Sequence, residues 1–122
     1  TLHTNDAASA VTRLTDMGIE PFLLSSSLLG VLAQRLVRKL CTHCNGAGCG
    51  ECGQTGYQGR TGIFEILQTT DAIRAQIHNK TSEADIRAAA IQSGMTLMRE
   101  DGERLVREGI TSREELVRVT RD

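Results

Sequence analysis

Apolar residues recur at helical spacing in the first part of the chain. Four of them share one face of a helix that begins near residue 6: Ala7, Val11, Leu14 and Met17. Asn5 or Asp6 is suited to cap this helix, because a short polar side chain can accept a hydrogen bond from a free amide of the first turn. Gly18 suits its end, since glycine reaches the left-handed conformation that follows many helices. The pattern predicts a helix over residues 7–17.

The next apolar segment, residues 22–40, fits two secondary structures. Pro21 is suited to the first turn of a helix, and the apolar residues after it keep a helical period: Leu28, Leu29, Leu32, Leu36, Val37 and Leu40. Gly30 interrupts this period, and the pair Leu36 and Val37 suits a strand equally well. The local pattern leaves open whether one long helix or a helix followed by a strand occupies the segment.

Residues 41–62 are rich in glycine and carry no hydrophobic period. They predict a loop that is organised by something other than an apolar core, most simply a bound ion. A short apolar run follows and suits a strand that returns from this loop: Ile63, Phe64, Ile66 and Leu67.

Four helices are predicted after this strand. Asp71 is suited to cap the first, and Ser82 or Thr81 the second, which closes at Gly94. Their apolar residues keep a helical spacing: Ile73, Ile77, Ile86, Ala90 and Ile91.

The third and fourth of these helices lie nearer the end of the chain. The third closes near Gly109, and Thr111 with Glu114 predicts a capping box for the fourth, in which the hydroxyl and the carboxylate each bind a free amide. The apolar residues of the two helices are Leu97, Met98, Leu105, Val106, Leu116, Val117 and Val119.

Composition excludes several classes of function. A length of 122 residues suffices for one compact domain or two small ones, and 14 basic with 15 acidic side chains give a net charge of −1. This balance offers no electrostatic field for nucleic acid, and the three aromatic residues offer no stacking platform for bases: Phe22, Tyr57 and Phe64. No stretch approaches the roughly 18 apolar residues of a membrane span, and no secretory signal opens the chain.

All four cysteines form two CxxC pairs: Cys41 with Cys44, and Cys49 with Cys52. Two thiolates on one tight turn can face one cation, and two such turns supply the tetrahedral sulfur set that zinc accepts. The spacing therefore predicts a zinc site in a reducing compartment, with the cytoplasm as the default. Four thiolates would close the coordination sphere, so the site is expected to be structural.

Other roles for these cysteines stay open at this point. Two structural disulfides, a redox-active dithiol, buried thiols and an iron–sulfur cluster are the alternatives. His43 lies inside the first pair, but with four thiolates available it is expected to lie outside the ligand set.

Several charged residues near the cysteines and the chain start are further candidates. His3 lies between a predicted strand end and a helix start, where α/β nucleotide enzymes place groups that sense phosphate, although a packed or capping histidine would look the same. Arg35, Arg38 and Lys39 precede the first cysteine pair and Arg60 follows the second. They are interpreted either as a solvated face or as a set in which one arginine binds a phosphate or a neighbouring carboxylate.

Four segments together resemble one protein family: residues 1–7 (TLHTNDA), 13–18 (RLTDMG), 33–41 (AQRLVRKLC) and 56–65 (GYQGRTGIFE). With residues 21–30 (PFLLSSSLLG), their combination resembles the type II secretion and type IV pilus assembly ATPases, and looks closest to the general secretion pathway protein E branch. The resemblance covers nearly the whole chain.

This resemblance implies an α/β fold in three segments. Residues 1–40 would be the end of a RecA-like P-loop ATPase domain, residues 41–59 a tetracysteine zinc-binding motif, and residues 60–122 a strand with an α-helical C-terminal subdomain. The resemblance also implies that residues 34–40 form a strand, that His3 belongs to a histidine box and monitors the γ-phosphate of ATP, and that the four cysteines bind structural Zn²⁺. Arg35 is a candidate nucleotide contact.

The parent protein implied by this resemblance hydrolyses ATP with Mg²⁺ to power type II protein secretion through pseudopilus assembly. It would form a hexamer in the bacterial cytoplasm, peripheral at the inner membrane through platform proteins of the secretion system, and would bind no nucleic acid. The chain starts at Thr1 and contains no GxxxxGK[ST] motif and no Walker B acidic residues, so we expect a C-terminal fragment that is inactive alone. The family usually has a longer insert between the cysteine pairs than residues 45–48, which predicts a trimmed zinc lobe.

A non-enzymatic alternative comes from the same cysteines. Residues 41–48 satisfy the CxxCxGxG repeat of the DnaJ cysteine-rich chaperone domain. That domain needs four repeats for two zinc ions, whereas this chain has one repeat and part of a second. A zinc-binding adaptor without an ATPase parent is the third possibility.

Overall fold

The computed structural model describes Leu2 and residues 4–120. Six helices and two strands form within these residues, in the order α1 (Ala7–Asp16), α2 (Pro21–Ser27), β1 (Gly30–Leu40), β2 (Tyr57–Gln68), α3 (Asp71–His78), α4 (Glu83–Gln92), α5 (Met98–Arg107) and α6 (Arg113–Thr120). The chain divides into two compact units. We call residues 1–33 with 65–97 the aliphatic unit, and residues 34–64 with 98–122 the cysteine unit.

The two strands pair with each other and run in opposite directions. The amide of Thr69 donates to the carbonyl of Leu29 at 3.1 Å, and the amide of Cys41 donates to the carbonyl of Gly56 at 2.9 Å. The partner number falls as the residue number on β1 rises, which is the antiparallel arrangement. The strands therefore form a long hairpin, and its connecting loop carries all four cysteines.

Aliphatic side chains hold the aliphatic unit together. Its core is one contiguous cluster from four helices and the end of β2: Ala7, Ala8, Val11, Leu24, Leu67, Ile73, Ile77, Ile86 and Ala90. Burial of such side chains stabilises a fold by about 25 cal/mol for each Å² of apolar surface removed from water. This cluster is therefore the main source of stability in the unit.

The start of α1 is fixed by polar contacts at the edge of this core. Asp6 caps the helix, because its carboxylate accepts from the amide of Ser9 at 2.8 Å while the Ser9 hydroxyl accepts from the Asp6 amide at 3.0 Å. The same carboxylate binds Arg87 of α4 at 2.8 Å. The predicted helix is confirmed with Asp6 as its cap, and Gly18 follows it with φ +97°.

The cysteine unit has a smaller apolar core on the paired helices α5 and α6 and the strands beside them. Its buried apolar residues are Val37, Cys41, Ile63, Met98, Leu105, Leu116 and Val119. Gly102 lets the two helices approach, since a Cβ atom at this position would lie 2.1 Å from Leu116 Cδ1.

The ambiguous segment is a helix followed by a strand, and the continuous helix that periodicity allowed is wrong. Helix α2 stops at Ser27 and β1 starts at Gly30, four residues before the strand start that the resemblance implied. Side chains then alternate along β1, with Leu36 exposed and Val37 buried, as a strand with one covered face requires. Pairing with β2 decides between helix and strand here, and the pattern of apolar residues within the segment does not predict that pairing.

The glycine-rich loop is shorter than predicted, because β2 begins at Tyr57 rather than after Gly62. Glycines 59 and 62 are accommodated within the strand, so glycine content alone overestimated the loop. The predicted cap of α3 is also displaced by one residue. Thr70 accepts from the amide of Ile73, and Asp71 is the first helical residue.

The capping box predicted from Thr111 and Glu114 is wrong. Ser112 caps α6 instead, accepting at its hydroxyl from the amide of Glu115 at 3.1 Å. Thr111 donates its hydroxyl to the carbonyl of Arg38 at 2.7 Å. The S-x-x-E pattern is present one residue later, at Ser112 and Glu115, but the carboxylate of Glu115 binds β1 rather than the helix start. The Ser112 hydroxyl therefore makes its half of the capping box, whereas the Glu115 carboxylate makes a tertiary contact instead of binding the amide at the helix start.

The α/β composition of the chain is confirmed by these elements. The three segments implied by the resemblance do not coincide with the two compact units, because those units are each built from two stretches of the chain. The three-segment division stays a prediction.

Candidate metal centre

The cysteine loop, residues 41–56, is closed at its base by the strands on either side. Cys41 directly follows β1 and pairs with Gly56, which directly precedes β2. Gly56 has φ +82°, and a Cβ atom there would lie 2.5 Å from the carbonyl oxygen of Gly46. Only glycine fits this crossing of two backbone segments.

The loop consists of two turns that repeat after eight residues. In the first turn, the carbonyl of Cys44 accepts from the amide of Ala47 at 3.1 Å, and its sulfur accepts from the amide of Gly48 at 3.1 Å. Cys52 makes the equivalent bonds in the second turn. Its carbonyl accepts from the amide of Thr55 at 3.4 Å, and its sulfur accepts from the amide of Gly56 at 3.2 Å. Each turn therefore directs backbone amides at sulfur.

These turns bring the four sulfur atoms together. All four lie within 4.8 Å of one another. The separations between Cys41 and Cys49, between Cys49 and Cys52, and between Cys44 and Cys52 are 3.8, 3.8 and 3.9 Å. A tetrahedron with metal–sulfur bonds of about 2.3 Å has edges of about 3.8 Å. The cluster therefore has the dimensions of a four-thiolate site for one ion.

The same distances bear on the alternatives. The four cysteines are free thiols, and their separations are far above the roughly 2.05 Å of a disulfide bond. A group of four sulfurs within 4.8 Å also leaves no space between them for a cluster of several iron atoms.

The thiols differ in their electrostatic surroundings. Burial raises the pKa of the Cys41 thiol to about 11, although the backbone amides of His43 and Cys44 act in the opposite direction. Burial also acts to raise the pKa of Cys52, but hydrogen bonds from the backbone amides of Cys49 and Gly56 and from neighbouring thiols lower it to about 6. Backbone dipoles therefore already favour one thiolate within the cluster.

Beside the loop, a buried carboxylate links β1 to α6. We call Arg38, Tyr57, Ser112, Glu115 and Arg118 the glutamate network. The side chain of Glu115 is wholly buried and accepts from five N–H groups, two on Arg118 and three on Arg38. The Arg38 guanidinium lies 4.2 Å from the centre of the Tyr57 ring, and the Tyr57 hydroxyl lies 2.7 Å from that of Ser112.

The charge of Glu115 is stabilised by these partners. Hydrogen bonds from Arg118, together with those from the Arg38 side chain and backbone, lower the pKa of Glu115 to about 2 despite its burial. Leu40 adds a backbone bond from β1 to the segment before α6, since its amide donates to the carbonyl of Ile110 at 2.8 Å. Strand β1, which ends directly before Cys41, is therefore bonded to α6 and to the segment that precedes α6.

The other residues predicted for function are not part of the thiol cluster. Arg35 donates its guanidinium to the carbonyl of Val119, and Arg38 belongs to the glutamate network. Lys39, Arg60 and His43 are exposed. His3 lies outside the described residues, so its predicted role stays a prediction.

Sequence reasoning missed Glu115. Its pattern with Ser112 was readable, but no local signal shows that the carboxylate is buried against a strand 77 positions earlier.

In the described part of the chain, every helix is too short or too polar to cross a lipid bilayer.

Comparison with known proteins finds relatives that match nearly the whole chain. Residues 1–118 match the family described as type II/IV secretion system protein. Type II secretion system protein HxcR of Pseudomonas aeruginosa is 60% identical over 130 aligned residues, covering 100% of this chain and 28% of that protein. Type II secretion system ATPase E of Vibrio cholerae is 46% identical, covering 100% of this chain and 29% of that protein.

More distant relatives agree. Type IV pilus assembly ATPase PilB of Thermus thermophilus is 42% identical, covering 98% of this chain and 16% of that protein. The crystal structure of the pilus retraction motor PilT with bound ADP is similar in fold, with a TM-score of 0.71 at 23% identity, covering 100% of this chain and 32% of that one. The chain thus spans less than a third of the length of each of these proteins.

The resemblance found in the sequence is confirmed by these matches, and they leave no separate segment for a DnaJ-like module. Because the family match extends over nearly all of its residues, the chain belongs to the type II/IV secretion system protein family.

Proposed function

We propose that this chain is the zinc-binding part of an ATPase that powers type II protein secretion. The observation that carries the proposal is the convergence of four free thiols within 4.8 Å, at edge lengths that suit a tetrahedral ion, in a chain of the secretion family. The ligands are Cys41, Cys44, Cys49 and Cys52. Four thiolates favour zinc over Mg²⁺ and Ca²⁺, which prefer oxygen ligands.

The zinc is structural in this proposal. Four thiolates fill the tetrahedron and leave no position for water or a substrate, so bound zinc supplies folding free energy rather than reactivity. The loop needs such a contribution, because residues 42–56 bury no large aliphatic side chain. The surrounding backbone amides hold the sulfurs in place and stabilise the negative charge of the bound centre through hydrogen bonds.

ATP hydrolysis belongs to the longer protein. The relatives named as secretion and pilus ATPases extend well beyond the matched region, and this chain contains no phosphate-binding loop of its own. In the proposal, the parent binds ATP and Mg²⁺, works as a hexamer on the cytoplasmic side of the bacterial inner membrane, and contacts platform proteins of the secretion system to assemble pseudopilins. His3 would sense the γ-phosphate of bound ATP.

Metal analysis of the chain tests the local part of this proposal. Protein purified under reducing conditions is expected to contain one zinc per chain by mass spectrometry of the released metal, and Cys44→Ser is expected to lose most of it. A ratio of two would show that the four cysteines do not form a single four-thiolate centre, and a ratio of zero would overturn the zinc site.

The role in secretion is tested in the longer protein. Cys44→Ser there is expected to reduce ATP hydrolysis and secretion together, because the fold around the loop is weakened. His3→Ala should reduce hydrolysis while zinc content stays at one per chain. Full secretion by both variants would overturn the proposal.

A further inference from the structure

We propose that Gln58 is a positioning residue for the metal centre, whose side-chain amide donates a hydrogen bond to the thiolate of Cys41 when the ion is bound. This inference rests on the zinc site proposed above and adds a residue outside the cysteine loop.

Gln58 is placed beside Cys41 by strand pairing. It is the second residue of β2, and Cys41 is the first residue after β1, with the Cys41 amide bonded to Gly56 across the pair. Its side-chain Oε1 lies 3.9 Å from the sulfur of Cys41. Within the described residues, no other non-cysteine side chain contacts a cysteine sulfur at hydrogen-bonding distance. The contact therefore singles out Gln58 from the polar residues around the loop.

Metal binding reverses the direction of this hydrogen bond. The free Cys41 thiol donates S–H to the amide oxygen of Gln58, 3.9 Å away. A metal-bound thiolate has lost that proton and can only accept. The two ends of an amide group have nearly the same shape, so a half-turn about its terminal bond presents an N–H to the sulfur. Gln58 is exposed, which leaves the side chain room for this turn.

The charge of the centre explains why such a donor matters. Four thiolates around Zn²⁺ carry a net charge of −2, and each N–H directed at sulfur offsets part of it. Backbone amides supply these donors to Cys44 and Cys52, at 3.1 to 3.3 Å, and the backbone amides of His43 and Cys44 act on Cys41. Cys41 is the fully buried residue of the four, so water stabilises its thiolate least. A side-chain donor at this sulfur therefore adds to the backbone donors where burial opposes the negative charge most.

Three variants test the inference in the chain itself. Gln58→Glu keeps the shape but replaces the donor by a negative charge, and Gln58→Leu removes the donor without adding charge. Gln54→Glu is the matched control, because it places the same charge in the cysteine loop at a side chain that does not bond to a cysteine sulfur. Zinc affinity is measured by competition with a chromophoric chelator, and the sulfur-to-metal charge-transfer band is measured after Co²⁺ substitution.

Zinc affinity is expected to fall by about 10-fold or more in Gln58→Glu and by roughly 10-fold in Gln58→Leu, since loss of a partner that orients a metal ligand typically costs about 10- to 100-fold. Both variants should shift the Co²⁺ charge-transfer band, since a thiolate that loses a hydrogen bond becomes a stronger electron donor. Gln54→Glu should stay within about 2-fold in affinity with an unshifted band.

Two results would overturn the role of Gln58 while leaving the zinc site intact. One is a Gln58→Leu variant with the affinity and the band of the unmodified chain. The other is an equal loss of affinity in Gln58→Glu and Gln54→Glu, which would show a general charge effect. An unmodified chain that binds neither Zn²⁺ nor Co²⁺ would overturn the zinc site itself.

Discussion

The aliphatic unit and the cysteine unit are stabilised by different kinds of interaction. In the first, one contiguous apolar cluster joins four helices and the end of β2. In the second, a smaller apolar core is accompanied by two polar centres, the thiol cluster and the buried Glu115. Apolar packing responds weakly to pH and metal, whereas the thiols respond to metal and the buried carboxylate responds to pH. Removal of the metal should therefore act on the cysteine unit and leave the aliphatic unit nearly unchanged.

Removing the metal is expected to produce the largest difference between the units. Structural zinc contributes on the order of 10 kcal/mol in small zinc domains, so a chelator should loosen residues 41–56 and raise their amide exchange by about 100-fold or more. Helices α1, α3 and α4 should change by less than a few-fold. Hydrogen exchange followed by mass spectrometry, with and without chelator, measures both regions at once. Equal exchange in the loop under both conditions would contradict the division.

A core substitution should produce the opposite pattern. Leu67 is fully buried in the aliphatic cluster, so Leu67→Ala is expected to destabilise that unit by about 3 kcal/mol through lost transfer energy and the cavity left behind. The loss should be the same with and without chelator. Urea unfolding followed by circular dichroism measures it, with the exposed Leu29→Ala as the matched control. A loss that disappears on chelation would show that the units are not independent in this respect.

Acid is expected to have a smaller effect, centred on Glu115. Its pKa is about 2 in the fold against 4.5 for an unperturbed glutamate, so its stabilising contribution is complete above about pH 5 and is lost as the pH falls toward 2. Each pKa unit corresponds to about 1.4 kcal/mol, which gives a loss of roughly 2 to 3 kcal/mol after allowing for solvent around the half-exposed arginines.

Glu115→Gln isolates this contribution, because the variant keeps all four thiols and cannot titrate at this position. The difference in unfolding free energy between the unmodified chain and Glu115→Gln should shrink from pH 5.5 to pH 3. A difference that stays constant over this range would show that Arg38 and Arg118 do not depress the pKa of Glu115.

Local chemistry predicted several elements of the fold correctly. Asp6 and Ser82 cap α1 and α4 as their side chains suggested, and Gly18 follows α1 in the left-handed conformation. Each of these depends on residues within four positions of one another. The start of β1 could not be predicted in this way, since Leu28 to Leu40 suit a helix and a strand equally and only pairing with β2 separates the two.

The candidate site was predictable to the same extent. The cysteine spacing predicted that the thiols would converge, because each pair lies on its own turn. The role of Glu115 and the contact of Gln58 depend on neighbours brought together by strand pairing and helix packing, at separations of 77 and 17 positions. No pattern within a single segment carries that information.

Strand pairing at the base of the cysteine loop has a consequence for how this region can change over time. Cys41 and Gly56 are joined across the hairpin, so the strands hold the two ends of the loop. Within residues 45–48, the amide of Gly48 binds the sulfur of Cys44 and the carbonyl of Gly46 lies against Gly56. An insertion or deletion that keeps these contacts can enlarge or shorten the lobe without moving the sulfurs, whereas one that breaks them displaces Cys44 while the hairpin stays paired.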